Sequence, residues 1–139
     1  MSISPNLVLS DLEKGELVWF DPGVGHVLPG EVLEYHKPAQ VLNVQAVIAG
    51  KAQIFSLTSS NGVHRRQDLG PNGLEDMIQL SDLNEASLLW NLKIRYDKEL
   101  IYTYVGSILV AVNPYKMYDM YGLDMVKKYE GQILGTLSP

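Results

Sequence analysis

The residues best suited to chemistry lie in one stretch, Val110-Ala111-Val112-Asn113-Pro114-Tyr115-Lys116-Met117-Tyr118-Asp119-Met120-Tyr121. An apolar run delivers Asn-Pro at its end, and Tyr121 follows. A proline turn, an amide and a phenol are what a flat base needs from a protein edge, because amide and phenol can both hydrogen-bond base edges. Composition alone favours a plainer reading, a strand end followed by a tyrosine-rich loop. Other constellations are weaker. His26, His36 and His64 are scattered without metal-ligand spacing, which reads as surface or partly buried histidine. Arg65-Arg66 reads as a solvated charge pair in a linker rather than a phosphate site. Glu75, Asp76, Asp82 and Glu85 could hold a cation or work as acid and base. The helix dipole also favours carboxylates at a helix start, and capping is the better account. No G-x-x-x-x-G-K-[ST], G-x-S-x-G or H-E-x-x-H occurs, so no complete hydrolytic set is present.

The elements that must position Asn113 and Tyr121 come next. Ser107 to Val112 is too continuously apolar for a surface strand and is expected to be buried on both faces. Leu100 to Gly106 reads as the strand before it. Asn84 to Tyr96 reads as a helix with Leu88, Leu89, Leu92 and Tyr96 on one face and Trp90 with Ile94 on a second stripe at its rim. Asp82 and Glu85 stand at capping-box spacing ahead of it. Leu123 to Tyr129 reads as a short helix with Gly131 just past its end.

The first half of the chain reads as β. Glu16–Phe20, Val27–His36, Val41–Ile48 and Ala52–Thr58 are candidate strands, with a break or bulge at Pro29-Gly30 and a hairpin turn at Gly50-Lys51. This spacing predicts a small SH3-like β-barrel at 14–60, preceded by an arm at 1–13 and followed by a linker at 61–72. A second unit occupies 73–139. The fold class is therefore α+β.

Bulk properties bound the function. The 139 residues are 46% apolar, enough for a packed core. The net charge of −5 is shared by both halves, so neither has the basic excess of a nucleic-acid or anionic-membrane binder. The chain has no cysteine, which excludes disulfides and thiol chemistry and fits a reducing, cytoplasmic compartment. No stretch approaches the roughly 18 apolar residues of a membrane span. The stop at Gly135–Pro139, directly after a helical pattern, reads as a truncation.

Several segments resemble the opening of a myosin head. They are Gly73-Leu74-Glu75-Asp76-Met77, Leu83-Asn84-Glu85-Ala86-Ser87-Leu88-Leu89-Trp90-Asn91-Leu92, Arg95-Tyr96 and Ile101 through Tyr115. The resemblance is strong over 72–139 and looser over 14–58, where many myosins carry an SH3-like barrel. Gly-x-Glu-Asp-Met and Ile-Tyr-Thr-Tyr look most like the unconventional classes seven, ten and fifteen. The resemblance implies the first helix and strands of a P-loop NTPase-type motor head. It also implies an actin-activated, cytoskeletal ATPase using ATP with magnesium, and light chains or calmodulin as partners through downstream regions. Asn113, Pro114 and Tyr121 match the family's purine-binding loop, with Lys116 nearby. No P-loop accompanies them, so the isolated chain is expected to be inactive. The rival expectation is a free-standing SH3-like interaction module that binds no nucleotide.

Overall fold

The protein is described by a computed structural model covering residues 7–139. The part of the expected arm at 1–6 lies outside the described residues. The fold is mixed α+β, and two compact units divide the chain between Asp68 and Leu69.

The first unit is an antiparallel sheet in the order β4-β3-β2-β1-β5. Its strands are β1 (Leu17–Phe20), β2 (Leu28–His36), β3 (Val41–Ile48), β4 (Lys51–Leu57) and β5 (His64–Arg65). Alternation makes the core: Leu42, Val44 and Ala46 of β3 point inward with Val18, Phe20 and Val32. Leu9 and Leu12, from a single 3-10 turn at Leu9–Asp11, close one side together with Val63. The described part of the expected arm at 1–13 thus contains one helical turn. Among the described residues no ladder joins β4 to β5, so the sheet is open and the expected closed barrel is not formed by hydrogen bonds.

Four expectations for this unit need correction. The 61–72 linker contains β5, which pairs Val18 with Arg65 and Trp19 with His64. Arg65 is not simply solvated. Its Nε reaches Glu16 Oε1 at 3.1 Å, and that contact, after the backbone N–H of Glu13, holds the Glu16 carboxyl below its ordinary value. Arg66 is half-buried, with its guanidinium 5.5 Å from the Trp19 ring centroid. The irregularity in β2 falls between Val32 and Glu34 rather than at Pro29-Gly30. The hairpin turn sits one residue early, on Ala49 (φ 50°) and Gly50 (φ 76°) between paired Ile48 and Lys51. Two left-handed residues in a two-residue loop match the twist of the flanking strands.

Gly30 lies in β2 because the core admits no side chain there. A Cβ would stand 2.4 Å from Val44 Cγ1 and 2.7 Å from Phe20 Cε1. Gly30→Ala is expected to destabilise this unit by roughly 1–3 kcal/mol, the usual cost of overpacking. A lower denaturant midpoint for the unit checks it, and an unchanged midpoint would contradict the packing described.

The second unit holds a 3-10 turn at Met77–Gln79, α1 (Glu85–Asp97), β6 (Tyr102–Val105), β7 (Ile108–Ala111) and α2 (Leu123–Tyr129). Leu69, Met77 and Leu80 form its apolar centre, with Leu74, Leu88, Trp90, Leu92, Ile94, Val105 and Val110 packed around it. β6 and β7 pair as a two-stranded antiparallel hairpin. β7 is not buried on both faces: Ile108 is 64% and Leu109 48% exposed. Among the described residues only β6 flanks it, so one side reaches the cluster through Val110 while the other stays open.

Candidate functional site

The hairpin that delivers residues 113–121 is held by a polar grip on α1. The buried positions of α1 are Ser87, Asn91 and Arg95, an i,i+4 stripe of polar residues. The expected Leu88/Leu89/Leu92/Tyr96 face is only partly right, since Leu89 is 59% and Tyr96 38% exposed. The stripe is buried because its partners are mainly backbone. Asn91 Oδ1 accepts from Leu74 N at 2.7 Å, and Asn91 Nδ2 donates to Leu74 O at 2.9 Å. Arg95 donates from Nε to Thr103 Oγ1 at 2.9 Å, from Nη2 to Tyr102 O at 2.9 Å and from Nη1 to Asn72 O at 3.5 Å. Burial lowers the Arg95 guanidinium from its ordinary value, and nearby Glu75 partly offsets this.

Gly73 permits the grip. It sits at φ +67°, and a Cβ would stand 2.6 Å from Asn91 Oδ1. Asp76 adds a second fastening. Its Oδ1 accepts from Ile78 N at 3.1 Å, capping the 3-10 turn, and from Gly106 N at 2.9 Å, at the tip of the β6–β7 hairpin. Tyr104 N also donates to Glu75 O at 2.8 Å. Of the acidic cluster, then, Asp76 caps the 3-10 turn rather than α1, and Glu85 lies in the first turn of α1. The Asp82–Glu85 box does not form, because Asn84 is the N-cap and its Oδ1 accepts from Ser87 N at 2.9 Å. Asn91 and Arg95 were not singled out from the sequence. Their signal was the i,i+4 recurrence of hydrogen-bonding side chains downstream of a glycine.

The loop after β7 carries the four candidate residues. Asn113 is exposed, and its Oδ1 accepts from Tyr115 N at 2.8 Å, which leaves its amide hydrogens as what it can offer a ligand. Pro114, half-buried, sets the turn, and Tyr115 follows at φ +53°. Lys116 pairs with Glu99, and its ammonium lies 5.0 Å from the Tyr118 ring centroid. The hydrogen bond to Glu99 holds the Lys116 ammonium above its ordinary value. Tyr121 is 62% exposed, and its hydroxyl lies 2.6 Å from that of Tyr102. Asn113, Pro114, Lys116 and Tyr121 therefore share one loop, with Asn113 where β7 ends and Tyr121 tied back to β6. Such a loop offers hydrogen-bond donors and an aromatic surface, and no nucleophile or general base is arranged within it.

Known proteins give this arrangement a context. The family model for the myosin head (motor domain) matches residues 74–139. Unconventional myosin-XV of Homo sapiens is 47% identical over 87 residues, covering 63% of this chain and 2% of that protein. Myosin-VIIa of Drosophila melanogaster is 36% identical over 126 residues, 91% of this chain and 6% of that protein. Unconventional myosin-VIIb of Mus musculus is 54% identical over 67 residues, 48% of this chain and 3% of its own length. The chain thus spans only a small part of each of these relatives.

Proposed function

The chain belongs to the myosin head family through residues 74–139, and from that premise we propose that it supplies the adenine-side wall of the nucleotide site in an actin-based, ATP-driven motor head. The observation that carries this is the loop after β7, where Asn113 offers amide hydrogens and Tyr121 offers a hydroxyl within the segment that the head family matches. These groups fit the base end of ATP, since both can hydrogen-bond a purine edge. Lys116 stands beside them on the same loop. The phosphate end needs backbone amides in a glycine loop, a lysine and a hydroxyl on magnesium. This sequence has no G-x-x-x-x-G-K-[ST], so that work belongs to other parts of the head.

In this reading the parent motor is cytoplasmic and cytoskeletal, and its actin and light-chain or calmodulin contacts lie outside this chain. The N-terminal unit is an SH3-like module appended to the head. Its five antiparallel strands in the order β4-β3-β2-β1-β5 support that assignment. A free-standing interaction module is the weaker reading, because the match to the head family spans all but the first few residues of the second unit.

The test is Tyr121→Phe in a complete motor head. Base contacts orient the nucleotide without touching the transferred phosphoryl group. Their loss therefore weakens binding by about 0.5–1.5 kcal/mol, one ordinary hydrogen bond. KM for ATP should rise with little change in kcat. Unchanged affinity, together with unchanged discrimination between ATP and a base-altered triphosphate, would show that Tyr121 does not read the base.

A further inference from the structure

The loop leaving β7 is sewn back onto the short segment that connects α1 to β6 and onto the first residue of β6. Val112 N donates to Ile101 O at 2.9 Å. Lys116 pairs with Glu99. The Tyr121 and Tyr102 hydroxyls meet at 2.6 Å.

Glu99 occupies its place against its own backbone preference. Leu100 N donates to Arg95 O and Glu99 N to Tyr96 O, both at 2.9 Å, which ends α1 in a Schellman turn. Position 99, at φ +62°, is the left-handed position that glycine fills at least cost. A glutamate there sacrifices helix stability, and its carboxylate is the group that reaches Lys116. A local rule broken at a residue whose side chain secures a ligand-facing loop points to a positional role.

Tyr102 fastens the far end of the loop. The hydrogen bond to Tyr121 holds the Tyr102 hydroxyl above the ordinary tyrosine value, and either of the two hydroxyls can be the donor.

We infer that Glu99 and Tyr102 are positioning residues for base recognition: Glu99 anchors the middle of the 113–121 loop through Lys116, and Tyr102 anchors its end by holding the Tyr121 hydroxyl in place. The functional half of this inference rests on the base-binding reading above. The structural half stands without nucleotide.

Two measurements separate them. The first is backbone order parameters for residues 114–121 in the 139-residue chain, for Tyr102→Phe, Tyr121→Phe, the double variant and Glu99→Gly. Each tyrosine variant should drop the loop from rigid values near 0.85 toward about 0.6. The double variant should go no lower than either single one, because both remove the same bond. Glu99→Gly should loosen the loop while α1 melts no earlier. Unchanged order, or additive tyrosine effects, overturns the inference whatever the nucleotide does. The second measurement is KM and kcat for ATP and ITP in a complete motor head. Tyr102→Phe should raise KM for ATP roughly 2- to 10-fold, within the span of one hydrogen bond, with kcat unchanged. If Tyr121→Phe moves KM and Tyr102→Phe does not, the positioning role falls and base recognition by Tyr121 stands. If neither moves it, the base-binding reading has failed and takes this inference with it.

Discussion

Replacing Arg95 by methionine is expected to strip the second unit of a large share of its stability while leaving the first intact. Arg95 is 2% exposed and serves three acceptors, Thr103 Oγ1, Tyr102 O and Asn72 O. Methionine fills much of the same volume and donates nothing. The three acceptors would then be buried without their partner. Hydrogen bonds from a charged donor contribute about 1.5–3 kcal/mol each, and the two at 2.9 Å alone bring the loss to about 3 kcal/mol or more. A unit of about 70 residues has only roughly 4–10 kcal/mol of total stability at the usual 0.05–0.15 kcal/mol per residue. One side chain therefore carries a large share of that margin. Amide exchange resolved along the chain reads the result. Protection in α1 and β6 should collapse, while β2, β3 and β4 should keep theirs. Arg95→Lys should fall between, since a lysine keeps the charge but lacks the planar fork that reaches several acceptors at once. Retained protection in α1 for Arg95→Met would show that Leu88, Leu92 and the apolar cluster hold the helix without the polar stripe.

The contrast between what could be read from the sequence and what could not follows the range of the interactions. β3 and α2 fall at Val41–Ile48 and Leu123–Tyr129, the same bounds that alternation and helical spacing indicate. Those patterns are local, and each element carries its own signal. β5 carries none. Two residues have no period, and His64 and Arg65 become a strand only because Val18 and Trp19 offer an edge far earlier in the chain. The buried face of α1 was obscured for a related reason. Leu88, Leu89 and Leu92 make a convincing apolar stripe, and a stripe of leucines normally marks the core. Here Ser87, Asn91 and Arg95 go deeper, and what lies against Asn91 and Arg95 is the main chain at Asn72 and Leu74 and the Thr103 hydroxyl. Main-chain partners have no letter in the sequence. Of the loop, the strand end and its Asn-Pro turn were legible. The fastening of Lys116 to Glu99 and of Tyr121 to Tyr102 was not, since nothing in a single sequence pairs residues that distant.

Gly73→Ala is the second large effect expected, and it tests the same grip from the opposite side. At φ +67° an alanine would hold a left-handed conformation that costs an L residue roughly 1–2 kcal/mol. Its methyl would also stand 2.6 Å from Asn91 Oδ1 and 3.1 Å from Arg95 Cγ. Neither atom can easily yield. Asn91 is fully buried, and its amide is engaged at both ends by Leu74. Arg95 is fixed by Thr103 and Tyr102. Relief therefore requires the 73–74 segment to lift from α1, which breaks both Asn91–Leu74 hydrogen bonds at about 0.5–1.5 kcal/mol each. The sum is roughly 2–5 kcal/mol from one added methyl. Glycines at 15, 23, 25, 50 and 62 have left-handed φ but open space around a Cβ, so alanine there meets only the backbone term. Gly62→Ala is the matched control. Thermal unfolding of the two variants should differ by the Asn91 contribution. The Gly73→Ala loss should be felt in the second unit and not the first. Equal destabilisation by the two substitutions would mean that Asn91 and Leu74 separate freely, and that the polar stripe of α1 does not hold the hairpin in place.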